Sequence, residues 1–173
     1  IIQHCRITKL EKDDHLLAIT SKGNIPAKQV VYATHTPPGV NLLHTLIAPY
    51  RSYVVAFELE INDFPDGLIY DLQEPYHYIR MHSENGSTYL VVGGEDHKTG
   101  NFDNTEGPYR NLEAWAMKYF PVSKIAYRWS SQYYEPADGL AYIGELPGED
   151  ENVFVATGFA GNGMIYSHIS AIV

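Results

Sequence analysis

The sequence is short of cysteine, of positive charge and of long apolar runs, and each shortage excludes something. Cys5 is the single cysteine. One thiol closes no disulfide within the chain and builds no cysteine metal site, so a reducing, cytoplasmic setting is the expectation. Lysine and arginine number 12 against 21 aspartates and glutamates, for a net charge of −9. That balance argues against a nucleic-acid or anionic-membrane partner, whose phosphates the chain would repel. No apolar run approaches the ~18 residues a membrane helix needs, and no signal-peptide pattern is visible. Against these absences stand 173 residues with 45% apolar and 19% charged content. That composition is globular and long enough for one large domain or two small ones with a core.

Both ends read as cut. The chain opens on Ile1 and closes on a segment in which Ile165, Ile169 and Ile172 keep helical spacing to the last residue, with no stop signal after them. A fragment of a longer protein is therefore expected. Near that end lies the stretch with the most chemistry in it. Val153 to Ala156 is a short buried-type strand, followed by Gly158, Gly161 and Gly163 and a helix start. The glycines allow positive φ and close backbone approach. A helix start presents unpaired N–H groups and a partial positive charge, which suit an anion or the electron-rich edge of a ring. A tight strand-to-helix connection without a ligand satisfies the same glycines.

Ahead of it, the region from Ile7 to Val31 reads as short strands with a hairpin near Gly23, and QVVYATH as a strand ending in Ala33, Thr34 and His35. Pro37-Pro38-Gly39 breaks the chain. Tyr50 to Ile61 is the clearest strand. Tyr53, Val55, Phe57, Leu59 and Ile61 fall on one face, and Ser52, Val54, Ala56, Glu58 and Glu60 on a face expected to reach water. NDFPDG reads as a turn, LIYDL and YHYIRM as strands, and ENGS as a hairpin turn. TYLVVGGEDHKTG reads as a strand running into a polar loop that would carry His97. One helix follows, with Leu112, Trp115, Ala116, Tyr119 and Phe120 at core spacing, Pro108 in its first turn and Pro121 after its end. In the next strand Ile125, Tyr127, Trp129, Ser131 and Tyr133 share one face, and Arg128, Ser130, Gln132 and Tyr134 the other. The eight histidines form no H-x-H or H-E-x-x-H pair, so no metal site is expected. The Asn85-Gly-Ser sequon is read as chance.

These segments carry a resemblance. QVVYATH, RWSSQYYEPADGLAYIG and NVFVATGFAGNGM follow the order found in FAD-dependent amine and amino-acid oxidoreductases, the family of glycine oxidase, sarcosine oxidase and D-amino-acid dehydrogenase. Trp129, Asp138, Gly139, Ile143 and Gly144 match its W-x(8)-DG-x-x-x-IG segment, and Ala156, Thr157, Gly158 and Gly163 its ATG-x-x-x-x-G turn. The chain is most similar to a subgroup fused to a C-terminal Rieske domain. The resemblance implies an α+β fold: an antiparallel or mixed sheet with flanking helices as substrate domain (37–149), plus remnants of a Rossmann-like FAD domain (1–36 and 150–173).

It also implies FAD as cofactor, in the full-length parent, and a C–N bond of a small-molecule amine or amino acid as the site of hydride loss. A Rieske 2Fe–2S cluster would lie in a domain outside this chain. The flavin contacts would be Thr34, His35, Gly158, Phe159, Gly161, Asn162, Gly163 and Met164. The family's G-x-G-x-x-G pyrophosphate turn does not occur in the chain. An N-terminal FAD-binding segment of the same protein is thus an expected partner, and the chain alone is expected to bind FAD poorly and to be inactive. Several amino-acid oxidases of the family carry a carboxylate-binding arginine five residues before the DG pair, where this chain has Tyr133. Arg80, beside Tyr78 and Tyr76, is the replacement candidate, with Arg51 as another. A non-catalytic ligand-binding module on the same scaffold remains the alternative.

Overall fold

A computed structural model describes residues 1–59, 67–101 and 104–173. The expected NDFPDG turn and the far end of the Tyr50–Ile61 strand, with Glu60 and Ile61, lie outside the described residues. The chain divides into two compact units. One comprises Ile1–Ala48 and Tyr134–Val173, the other Pro49–Tyr133. The division falls inside two long strands.

In the first unit, β1 (Ile7–Lys12), β2 (Leu16–Thr20) and β3 (Gly23–Ala27) form an antiparallel meander. Thr20 faces Gly23 across the β2–β3 pair, so the turn is Ser21-Lys22 and the glycine opens the next strand. The Thr20 hydroxyl donates to the Gly23 carbonyl at 2.6 Å. Lys28 and Gln29 then break the strand, and β4 (Val30–Tyr32) joins a different sheet of order β10-β11-β4. Here β10 is Tyr142–Glu145 and β11 Val153–Thr157, which runs antiparallel to β10 and parallel to β4. A one-turn helix, α1 (Leu43–Leu46), has no counterpart in the sequence reading. Its Leu43 packs with Leu16, Leu146, Val153 and Val155 into this unit's core. The last helix, α3 (Gly163–Ser170), buries no residue. It stops before Ile172, so helical geometry does not run to the last residue as the spacing suggested.

The second unit is built on a five-stranded sheet of order β6-β7-β8-β5-β9. These strands are β5 (Ile47–Glu58), β6 (Leu68–Tyr70), β7 (His77–Glu84), β8 (Ser87–Lys98) and β9 (Lys124–Pro136). The ENGS turn is as expected. Asn85 (φ 52°) and Gly86 (φ 81°) both take left-handed backbone, and Glu84 faces Ser87 across the hairpin. Helix α2 (Glu106–Tyr119) covers one sheet face. Its Leu112 and Ala116 are buried against Tyr53, Val55, Phe57, Ile79, Leu90 and Val92, the alternate residues of three strands.

The opposite face departs from expectation in two ways. Val54 and Ala56 do not reach water; they are buried with Val91 under Tyr78 and Tyr89. The GGEDHK segment is not a loop but the second half of β8. A β-bulge makes this possible: Arg51 faces His97 and Tyr53 faces Gly94, so two residues of β8, Glu95 and Asp96, oppose Ser52 alone. His97 consequently lies in the strand, with its ring stacked on Tyr53 at 5.5 Å. Among the described residues no helix is long and apolar enough to cross a membrane, and no group of three histidine, cysteine, aspartate or glutamate side chains is placed to hold a metal.

Candidate functional site

Two clusters, one in each unit, carry the polar chemistry. In the first unit, parallel strands β4 and β11 end side by side, and the chain leaves each through an irregular turn. Ligands of such sheets collect at the carboxyl ends of the strands, where backbone groups are released from the ladder. After β4 the chain reaches Thr34, whose hydroxyl donates to the Thr36 carbonyl at 2.7 Å, and His35. The Thr157 hydroxyl donates to the His35 carbonyl across the two strand ends. The His35 ring meets Tyr134 edge-on at 5.2 Å, and the Tyr134 carbonyl accepts the Ala160 N–H at 3.1 Å.

After β11 the backbone turns sharply. Gly158 (φ 71°), Ala160 (φ 47°) and Gly161 (φ 77°) are left-handed, as is His35 (φ 71°). For the two non-glycine residues that region costs about 1–2 kcal/mol each, the kind of strain that collects at working sites. Gly158 is packed: a Cβ there would sit 3.4 Å from Pro136 and Tyr142. Gly161 and Gly163 face open space. Asn162 precedes α3 without a side-chain cap on the helix, and its own amide donates back to the Ala160 carbonyl at 3.2 Å. Phe159 stacks on Tyr166 at 5.5 Å, and Met164 is exposed on the first turn. Every one of the expected flavin-contact residues therefore lies on these two strand ends or on the turn into α3.

In the second unit the bulge directs Glu95 and Asp96 to opposite sides. Glu95 (φ 56°) stays with α2, its carboxylate accepting from the Asn111 amide at 2.7 Å. Asp96 Oδ2 accepts the hydroxyls of Tyr76 and Tyr133, both at 2.9 Å. Burial first, and then the Asp96 carboxylate, hold the Tyr76 phenol well above its ordinary value, so it remains a donor at neutral pH. Tyr133 also lies 5.9 Å from Tyr50, and Tyr78 stands 6.3 Å from Tyr76 and 6.4 Å from Tyr70. The Tyr78 ring is possible only because Gly93 faces it; a Cβ there would lie 2.1 Å from the ring.

Arg80 follows two residues along β7, facing Leu68 and Val91, and is exposed. Among the described residues the cations over rings are Lys118 on Tyr119 and Arg128 on Tyr109, so Arg80 is not the ring-flanked cation its spacing suggested. Arg51 donates to the Ser130 hydroxyl at 2.7 Å. Arg128 is held on α2 by Glu106 and Glu113 at 3.3 and 2.7 Å. Asp96 was absent from the sequence reading. Its signal was the Gly-Gly pair inside an apolar strand, which marks a bulge where a side chain is re-aimed.

The whole chain, residues 1–173, matches the family described as DAO, FAD dependent oxidoreductase. The chain belongs to this family. Among solved structures it is similar to glycine oxidase from Geobacillus kaustophilus (TM-score 0.72, 21% identity, 99% of this chain and 47% of that one). It is also similar to NikD, an amino acid oxidase of nikkomycin biosynthesis (TM-score 0.73, 18% identity, 96% and 50%). These likenesses show the fold. Among curated proteins it is similar to YhfW of Bacillus subtilis (strain 168), whose name provisionally ascribes a Rieske 2Fe-2S centre, at 29% identity over 153 residues. That match covers 87% of this chain and 30% of YhfW. The chain thus spans half or less of the length of these relatives.

An FAD-dependent family calls for a place for the cofactor. The turn into α3 fits one edge of a flavin: open space over Gly161 and Gly163, an uncapped helix start, and strained backbone holding both in place.

The buried polar group nearest the tyrosine cluster is structural. His77 is 4% exposed; its Nδ1–H donates to Asp71 Oδ2 at 2.8 Å, and its ring stacks on Trp115 at 4.3 Å. Partial burial pushes the Asp71 carboxyl up, but the backbone N–H and ring of His77 and the backbone N–H of Gln73 outweigh it and hold the group below its ordinary value. A depressed folded-state carboxyl stabilises the fold above the unfolded value, about pH 4, and the contribution is lost as pH falls through the folded value. Asp71→Asn should therefore lower the urea midpoint at pH 6, and the gap to wild type should shrink at pH 3. An equal gap at both pH values would rule out this linkage.

Proposed function

We propose that the protein carrying this chain is an FAD-dependent oxidoreductase that oxidises a C–N bond of an amine or amino-acid-like substrate by hydride transfer to flavin. The observation that supports it most directly is the pairing of the β4 and β11 ends, which brings Thr34 and His35 beside the Gly158–Met164 turn. In this reading the first unit belongs to the flavin side and the second to the substrate side. Bound FAD would supply the hydride acceptor, and the chemistry would be the cofactor's. The chain's own residues orient and polarise. The start of α3 directs N–H groups and a fixed partial positive charge at an electron-rich ring edge, a preorganised field that costs no reorganisation during reaction. Thr157 locks the two strand ends together, and Gly161 and Gly163 leave room for a planar ring to approach the backbone.

The substrate side lacks the family arginine, because Tyr133 stands at its position. Arg80 is the candidate anion anchor: it is exposed and shares a face of β7 with Tyr78. An N-terminal FAD-binding segment of the same protein is part of this proposal. So is a Rieske 2Fe–2S domain, which the likeness to YhfW supports, and so is a cytoplasmic location.

The test is an absorbance spectrum of the whole protein, before and after denaturation. Flavin bands released by denaturant are expected. In that protein Arg80→Ala should raise KM several-fold more than it lowers kcat, as loss of substrate binding does. A colourless folded protein that takes up no added FAD would sink the oxidoreductase reading, and an unchanged KM would remove Arg80 as anchor.

A further inference from the structure

The sheet of the second unit has two faces, and α2 covers one of them. Register sets the other. Tyr78 stands between Tyr70 and Gly93, Arg80 stands between Leu68 and Val91, and Val54 and Ala56 follow on β5 beyond Gly93 and Val91. The floor of this face is apolar, since Val54, Ala56 and Val91 are buried under Tyr78 and Tyr89. Its outer side is open, for Leu68, Tyr70 and Arg80 are exposed.

The ring of Tyr78 does not stand up from this face but lies across Gly93. It fills the space a Cβ there would need, and its hydroxyl reaches Ser52 Oγ on β5 at 3.5 Å. A ring laid across the strand turns a π face away from the sheet, and Tyr78 accordingly stays part-exposed although it packs on the floor. Tyr70 flanks it at 6.4 Å. Aromatic faces of this kind take a second ring in offset or edge-on geometry. Burial above all holds the Tyr78 phenol above its ordinary value, so it is uncharged at neutral pH and repels no anion.

Beside this platform stands a cation with nothing to neutralise it. Arg80 lies two residues along β7 from Tyr78, about 6–7 Å, on the same face. Lys124 pairs with Glu58, and Arg128 with Glu106 and Glu113. Arg80 forms no ion pair and lies over no ring among the described residues. A guanidinium presents a planar fork of donors that matches a carboxylate. Platform and fork at this spacing suit one molecule that carries both an aromatic ring and a carboxylate.

We propose that the sheet face opposite α2 binds an aromatic carboxylate, with its ring on Tyr78 and its carboxylate on Arg80. The proposal deepens the amine-oxidising reading and rests on it for the word substrate, which it makes an aryl-bearing amino acid. The binding step itself can be measured without turnover.

The experiment titrates three matched probes into the whole protein by calorimetry at constant ionic strength: sodium phenylacetate, sodium cyclohexylacetate and phenethylammonium chloride. Phenylacetate should bind at least about ten-fold more tightly than phenethylammonium, which has the ring and the wrong charge. It should bind about three-fold more tightly than cyclohexylacetate, which has the charge and no π face. Arg80→Gln should remove the first preference and keep the second, and Tyr78→Leu should do the reverse. If Tyr78→Leu does not fold, Gly93→Ala displaces the same ring, and the wild-type comparison remains a test by itself. Equal binding of the three probes to wild type, or no binding of phenylacetate, overturns the proposal. So does a charge preference that survives Arg80→Gln or a ring preference that survives Tyr78→Leu. A protein with flavin bands and no probe preference would overturn the sheet-face assignment alone. A colourless protein that keeps both preferences would overturn the oxidoreductase reading alone.

Discussion

Gly94→Ala should lower the melting temperature by roughly 3–10 °C, the shift that about 1–3 kcal/mol of backbone strain produces in a chain of this size. The residue sits at the β8 bulge with φ 144°, where L side chains rarely go, and a Cβ there would lie 2.4 Å from the Tyr76 carbonyl oxygen. The obstacle is backbone, so no rotamer change relieves it. Its neighbour makes the useful contrast. A Cβ at Gly93 would lie 2.1 Å from the Tyr78 ring, a nominally closer clash, yet a side chain that can swing away. Gly93→Ala should therefore perturb the tyrosine cluster, visible as a near-UV circular dichroism change, with the smaller loss of stability. Gly94→Ala should cause both losses, because moving Tyr76 also withdraws one of the two phenols from Asp96. A Gly94→Ala protein that melts with wild type would mean that the bulge geometry is not as described.

Phe57→Ala should cost about 3–5 kcal/mol, the usual range for removing a fully buried aromatic ring. Phe57 is 0% exposed, in the middle of β5, and packs with Leu90, Leu112 and Ala116 where α2 lies on the sheet. Three strands and a helix enclose the space, so little collapse can fill it. The urea midpoint of the variant, read against exposed Leu72→Ala as a surface control expected to stay within about 0.5 kcal/mol, measures the effect. Similar midpoints for the two would show that the β5–α2 layer is not the core of its unit. The loss should also reach the site, since β5 carries Ser52, the residue opposite the bulge.

The local elements were legible because their signals are local. Alternation in β5 and the stripe of α2 identify Tyr53, Val55, Phe57, Leu112 and Ala116 as facing residues, and all of them are buried. Asn85-Gly86 names its own turn, since both positions need left-handed backbone. The ordered motifs identify the family and its FAD, and the glycine turn leads into a helix as its residues suggested.

Other features came only from contacts between distant segments. The face bearing Val54 and Ala56 alternates like a solvated one, yet Tyr78 and Tyr89 cover it from neighbouring strands. GGEDHK has loop composition, but pairing with β5 draws it into the sheet and places one extra residue in the ladder. That residue re-aims Asp96 toward Tyr76 and Tyr133, 20 and 37 positions away. Likewise His35 and Thr157 meet only because β4 and β11 pair in parallel. By itself the sequence determined where the chain can form strands, turns and helices, which residues each must bury, and the family to which it belongs. The tertiary structure decided which polar groups converge, because convergence depends on strand pairing and register, and a single residue of register exchanges one face of a sheet for the other.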